Sequence, residues 1–264
     1  MIGIFDSGVG GLAIQRQIGR FLPRIDIAYL ADTAAFPYGP KTPEFIIDRT
    51  ARISRALIER GARLIVVACN TATVVAIESL RRKFNLPFVG VEPAVKVAAE
   101  LAPADGPIYV LLTQNSALGR KYTELVRRVA GGRPVRAVCL DLLAEVVEDG
   151  SFTRPEVRQR IEAEVREAVG EPPEGSQVVL GCTHYVFLRE LFQEIFGPGV
   201  NVLEPSLPVA EQVVRVVKKL GIPVEESGRR EYLSTGDPEA FALRLRLLTR
   251  ESPGPSGVLR FSFD

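Results

Sequence analysis

Leu64-Ile65-Val66-Val67-Ala68-Cys69-Asn70-Thr71 is an unbroken apolar run that stops on a thiol and two polar side chains. Five consecutive apolar residues, three of them β-branched, suit a strand buried on both faces, as inside a parallel sheet. The pattern recurs along the chain. Short apolar runs at 2–5, 26–31, 87–91, 108–112, 135–139, 178–180 and 200–203 alternate with helical patterns at 43–60, 71–84, 118–130 and 155–169. At the last of these, Thr153 with Glu156 three positions on reads as a capping box. Strand–helix alternation predicts an α/β fold with mainly parallel sheets covered by helices on both faces.

The pattern also repeats itself. The first half opens on Ile4-Phe5-Asp6-Ser7-Gly8 and later reaches a strand ending in Cys69-Asn70-Thr71. The second half opens on Tyr109-Val110-Leu111-Leu112-Thr113 and later reaches a strand ending in Cys182-Thr183-His184, after a similar interval of about 65 to 70 residues. Two similar three-layer α/β lobes follow from this, each placing one cysteine at the carboxyl end of a strand, where such folds hold ligands. The first lobe is expected over 1–92 and the second over 93–206. The remaining helices at 208–220 and 238–248 and strands at 231–234 and 258–261 would return to the first lobe as 207–264, making it discontinuous.

Composition excludes several classes. The chain is 46% apolar and 25% charged with a net charge of +1, so it is neither disordered nor built for nucleic acid or an anionic membrane surface. The opening Met1-Ile2-Gly3-Ile4-Phe5-Asp6 lacks the basic and long apolar regions of a secretory signal. No apolar stretch approaches the roughly 18 residues of a membrane span. Three dispersed cysteines are not a disulfide framework, so a cytoplasmic protein with reduced thiols is expected.

Cys139 closes the run Val135-Arg136-Ala137-Val138-Cys139 and reads as a small buried hydrophobe. Cys69 and Cys182 are different. Each precedes polar residues that open the next helix, where the helix dipole favours a thiolate and free N–H groups can hold a carboxylate. Two such turns on two lobes suit the inversion of a stereocentre, in which one thiolate removes an α-proton and a thiol on the opposite face returns one. The sulfurs would then flank the α-carbon at about 6–7 Å from each other. A cysteine pKa of about 8.5 allows either form near neutral pH. His184 is the only histidine and stands two residues after Cys182, which favours a functional over a structural role; Asp6, ending the first strand, would be its counterpart. A helix cap is the simpler role for Asp6 alone.

Three rivals use fewer of these features. Gly8-Val9-Gly10-Gly11-Leu12-Ala13 has the outline of a dinucleotide fingerprint, with Asp32 ending the second strand, but Asp6 would bring negative charge to a phosphate loop. Cys182-Thr183-His184 is not a zinc spacing. A thiol hydrolase leaves Cys69 without a role. A module that simply holds a dicarboxylate remains open.

The segments Gly3-Ile4-Phe5-Asp6-Ser7-Gly8-Val9-Gly10-Gly11-Leu12, Tyr29-Leu30-Ala31-Asp32-Thr33, Pro37-Tyr38-Gly39 with Lys41, Ala68-Cys69-Asn70-Thr71-Ala72 and Gly181-Cys182-Thr183-His184-Tyr185 resemble, in this order, the glutamate racemase family of the aspartate/glutamate racemase superfamily. The resemblance implies an active site between two α/β lobes and no cofactor or metal. It implies that Cys69 handles the proton of D-glutamate, helped by Asp6, and Cys182 that of L-glutamate, helped by His184. Glu148 matches a family acid near the second cysteine. Substrate contacts carry over to Asp6, Ser7, Tyr38, Gly39, Asn70, Thr71, Thr183 and His184. The product would supply bacterial peptidoglycan, and so cell-wall biogenesis and cell shape. The small-molecule substrate glutamate is the expected partner, with no nucleic acid, no membrane and a homodimer left open. Some relatives carry an amino-terminal extension linked to control by a cell-wall precursor; with strand one at the start, no such control is expected here. The chain departs from the family at Ser116 and Gly119, at Leu140, and at Val186-Phe187.

Overall fold

The computed structural model describes residues 1–103, 105–140, 142–225, 227–254 and 257–263. The chain divides into two compact units, Met1–Val91 with Ser206–Asp264, and Glu92–Pro205. The first unit opens with β1 (Ile2–Asp6), α1 (Leu12–Phe21), β2 (Ile27–Ala31), α2 (Pro43–Glu59), β3 (Leu64–Val67), α3 (Asn70–Lys83) and β4 (Phe88–Gly90). The second contains α4 (Val95–Leu101), β5 (Ile108–Leu112), α5 (Gln114–Leu118), α6 (Arg120–Val129), β6 (Val135–Cys139), α7 (Leu142–Glu148), α8 (Pro155–Val169), β7 (Gln177–Leu180), α9 (Arg189–Phe196) and β8 (Asn201–Leu203). The first unit resumes with α10 (Ser206–Leu220), β9 (Arg230–Ser234), α11 (Pro238–Thr249) and β10 (Val258–Arg260).

Both sheets are parallel throughout. The first has strand order β10-β9-β2-β1-β3-β4 and the second β6-β5-β7-β8. Every residue of β1, β2 and β3 is buried, as the unbroken apolar runs require of a sheet covered on both faces. Each isoleucine, leucine, valine and phenylalanine among them contributes about 1.5–3 kcal/mol by leaving water. Local chemistry sets the helix ends. Thr42 caps α2 by accepting the Phe45 N–H at 3.3 Å, with Pro43 in the first turn. Asp237 and Pro238 do the same for α11. The last turn of α3 carries Arg81, Arg82 and Lys83 against the negative end of its dipole. Among the described residues no helix is long and apolar enough to cross a membrane.

Strand order matters more than strand count. In the first sheet β1 is followed by β2 on one side and β3 on the other. In the second, β5 is followed by β6 on one side and β7 on the other. The chain thus leaves neighbouring strands in opposite directions at β1/β3 and at β5/β7. Their carboxyl ends open a crevice where α/β proteins bind ligands. Asp6 ends β1 and Cys69 follows β3; Thr113 follows β5 and Cys182 follows β7.

Four local expectations change. The helix expected over 118–130 is broken at Gly119, which is extended (φ −67°, ψ 131°) and begins α6 as its cap. The capping box does not form: Arg154 is the cap of α8, Pro155 fixes the first turn, and the Thr153 hydroxyl bonds back to the Gly150 carbonyl at 3.1 Å inside a short 3₁₀ turn. Cys139 is exposed, not buried. It ends β6, an edge strand in which only Val138 is fully buried. Asp6 and His184 are not topological counterparts: Asp6 ends β1, which corresponds to β5, whereas His184 follows β7, which corresponds to β3.

Because Cys139 is exposed on an edge strand, Cys139→Ser should shift unfolding free energy by no more than about 0.5 kcal/mol. A urea titration measures this; a loss of several kcal/mol would mean that the thiol packs.

Candidate active site

In the first unit the loop after β1 lies flat against the strand that carries the thiol. A Cβ on Gly11 would meet the Ala68 Cβ at 2.7 Å, the Tyr29 hydroxyl at 3.0 Å and the Asp6 Cβ at 3.1 Å, so only glycine permits this approach. Tyr29 secures the loop by donating to the Gly8 carbonyl at 2.8 Å. Asp6 is fully buried and turns its carboxylate into the loop, where Oδ1 accepts the Gly8 N–H at 2.8 Å and the Ser7 hydroxyl at 3.4 Å. Ser7 Oγ is in turn 3.8 Å from Cys69 Sγ. A hydroxyl has one proton and two lone pairs. Ser7 can therefore accept from the thiol while donating to the acid, linking Cys69 to Asp6.

Cys69 is the cap of α3, and its sulfur accepts the Ala72 N–H at 3.5 Å. That bond and the helix dipole both favour the thiolate. The next residue, Asn70, is 4% exposed, and neither atom of its amide has a partner among the described residues. Leaving such a group unsatisfied costs about 1–3 kcal/mol, which a bound polar ligand would offset. Thr71 is also buried in this first turn.

Tyr38 stands beside this site in an unforeseen role. Its side chain is 1% exposed and its hydroxyl donates to Asp32 Oδ2 at 2.6 Å, so the phenol is an anchor. Burial, the Asp32 carboxylate and the Cys69 thiolate push its pKa well above the ordinary phenol range, which keeps it a donor. The Tyr38 carbonyl accepts the Lys41 N–H at 3.1 Å, closing a turn. The N–H groups of Tyr38 and Gly39 have no partner among the described residues. Those donors, rather than the phenol, are what the turn offers a ligand.

The second unit reaches a similar end by different side chains. Gly181 lets β7 press against β5, since a Cβ there would lie 2.9 Å from the Leu111 carbonyl oxygen, which already accepts the Gly181 N–H at 2.6 Å. Cys182 follows as the cap of a 3₁₀ helix, Thr183–Leu188, without a side-chain capping bond. His184, 2% exposed, places Nδ1 4.0 Å from Cys182 Sγ and Nε2 2.9 Å from Glu148 Oε2. With Nε2 donating to the Glu148 carboxylate, a neutral ring would turn Nδ1 to the thiol as an acceptor. Glu148 ends α7, and Tyr185 donates to the Leu140 carbonyl at 2.6 Å, tying the turn to the segment before that helix. Thr183 is buried in the same turn. Thr113, after β5, shares a 3.0 Å hydrogen bond with Ser116.

The dinucleotide alternative fails on geometry. Asp32, the acid it would use on a ribose, already accepts four hydrogen bonds, two from Arg49 and one each from Tyr38 and Thr235. Arg49 and Thr235 escaped sequence reasoning altogether, because no local pattern marks contacts that span 17 and 203 positions.

The Asp/Glu/Hydantoin racemase profile matches residues 13–213. The chain belongs to this family. It is an amino-acid racemase. The match takes in both Cys69 and Cys182 and begins after Asp6. The glutamate racemase of Herpetosiphon aurantiacus is 39% identical over 243 residues, 91% of this chain and 94% of that one. Among solved structures, the racemase is similar to Escherichia coli glutamate racemase in complex with L-glutamate and the activator UDP-MurNAc-ala, with TM-score 0.84, 29% identity and 98% and 96% of the two chains covered. It is also similar to Thermus thermophilus glutamate racemase in complex with β-chloro-D-alanine, with TM-score 0.81, 32% identity and 99% and 96% covered.

If Asn70 serves a ligand, removing its amide should not destabilise the racemase. Asn70→Ala is expected to keep the urea midpoint or raise it, while turnover falls by about tenfold or more. Lower stability with normal turnover would assign the amide to the fold.

Proposed function

We propose that this racemase interconverts L- and D-glutamate by a two-base proton transfer between Cys69 and Cys182, without metal, nicotinamide or pyridoxal phosphate. The observation that carries the proposal is the pair of relays: thiol–hydroxyl–carboxylate at Cys69, Ser7 and Asp6, and thiol–imidazole–carboxylate at Cys182, His184 and Glu148. Each runs from a thiol through a hydrogen-bonding group to a carboxylate. The names of the relatives supply glutamate as substrate.

Starting from D-glutamate, the Cys69 thiolate takes the α-proton; the Cα–H bond breaks and its electron pair moves toward the α-carboxylate. The S–H bond of Cys182 then breaks as its proton reaches the opposite face of that carbon. The reverse reaction exchanges the roles. Negative charge builds on the α-carboxylate, so N–H donors aimed at it lower the barrier most. The Tyr38–Gly39 turn, Asn70 and the helix openings at Thr71 and Thr183 are the proposed donors, with Ser7 beside them. The product would feed peptidoglycan synthesis in the cytoplasm.

The test is Cys69→Ser and Cys182→Ser, assayed after exhaustive dialysis against chelator with nothing added back. Wild type should racemise either enantiomer, and each variant should lose about 10²–10⁴-fold while remaining folded. Full racemisation by either variant, or wild-type activity that depends on an added metal, nicotinamide or pyridoxal phosphate, would sink the scheme.

A further inference from the structure

The Asp32 cluster extends beyond Tyr38 to the carboxyl-terminal segment. Arg49 on α2 grips Asp32 in a fork, with Nε to Oδ2 at 2.8 Å and Nη2 to Oδ1 at 2.7 Å, and Thr235 donates to Oδ1 at 2.8 Å. Burial works against the charge on Arg49, but the bonds to Asp32 outweigh it and hold the guanidinium pKa above its usual value. The other face of that guanidinium is covered by Phe263, whose ring centroid lies 4.0 Å from Arg49 Cζ. Phe263 is itself held from three sides. Arg52, one turn along α2, stacks at 4.6 Å and donates to the Phe263 carbonyl at 2.8 Å, and Phe261 meets the ring edge-on at 5.0 Å. The Phe261 N–H bonds to the Ser234 carbonyl at 2.8 Å, anchoring the segment to the end of β9.

These contacts form one chain from the carboxyl-terminal segment to the Cys69 site. An Arg–carboxylate fork has a single good orientation, and a ring stacked on its plane restricts the guanidinium further. Asp32 so oriented leaves Oδ2 where the Tyr38 hydroxyl finds it. Tyr38 so held fixes the turn whose N–H groups at 38 and 39 have no partner among the described residues. We propose that Phe263 and Arg49 are positioning residues for the reaction: acting through Asp32 and Tyr38, they hold the 38–39 turn in the geometry that receives the substrate carboxylate beside Cys69. This rests on the proposed role of the turn as a substrate contact. Phe263 is only partly buried and packs against the core of the first unit, so the readouts below separate positioning of the turn from stability.

The experiment compares wild type with Phe263→Leu, Phe263→Trp and Arg49→Lys. Two readouts are taken, KM against kcat for both enantiomers of glutamate and amide hydrogen exchange across residues 36–41. Leucine keeps the apolar contact but loses the π face, lysine keeps the charge but loses the fork, and tryptophan keeps the face. We expect Phe263→Leu and Arg49→Lys to raise KM about tenfold, the loss of one charge-assisted hydrogen bond, with faster exchange across 36–41. Phe263→Trp should match wild type in both. A wild-type enzyme active on glutamate whose Phe263→Leu and Arg49→Lys variants keep their KM would overturn the proposal, as would a KM rise that tryptophan does not prevent. Wild type without glutamate turnover would instead overturn the functional reading; exchange across 36–41 unchanged in the leucine and lysine variants would then overturn the relay as well.

Discussion

Parallel strand polarity governs the rest of this molecule. Because every strand in each sheet runs the same way, all carboxyl ends of a sheet lie along one edge, and the helices that follow turn their positive ends toward it. The chain reverses its winding once per sheet, at β1/β3 and at β5/β7. Each reversal spreads two helices apart and leaves donors facing open space. Cys69 and Cys182 are the residues that cap the turns leaving β3 and β7. At Cys69 the sulfur accepts a backbone N–H of the helix it caps, and in each unit side chains lead from the thiol to a carboxylate.

The two relays show how one topology accepts different side chains. At Cys69 the acid comes from the neighbouring strand, as Asp6, and reaches the sulfur through a serine. At Cys182 the imidazole comes from the thiol's own turn, and the acid behind it from α7. The resemblance between the halves therefore holds for strands and thiols but not for the assisting groups. In the proposed reaction one face would receive L- and the other D-substrate, and nothing would then require the assisting groups to be alike.

Much of the fold was legible because both-face burial writes itself as unbroken apolar runs. The strands over 108–112 and 135–139 have their expected ends. Short helices were harder. α1 begins after Gly11, which has no side chain to cap it, and α4 and α7 have seven residues each, too few for a clear period. Cys139 was misread because an apolar run looks the same at a sheet edge as at its centre. In the site, Cys69 and Cys182 were visible as thiols interrupting an apolar-to-polar step. Gly11 and Gly181 were visible only as glycines; the close approaches that demand them are tertiary. Arg49 and Phe263 gave no signal, since each is an ordinary residue until Asp32 is brought to it by the order β9-β2-β1.

In the proposed reaction two thiols act on opposite faces of one carbon. Its most direct test follows L-glutamate in deuterated water during the first tenth of the reaction, resolving the enantiomers and measuring deuterium at Cα in each by NMR. Two bases predict D-glutamate carrying solvent deuterium at nearly every α-carbon while the remaining L-glutamate keeps its protium. D-glutamate that retains protium, or equal exchange into both enantiomers from the outset, would mean that a single base removes and returns the proton, and would contradict the account.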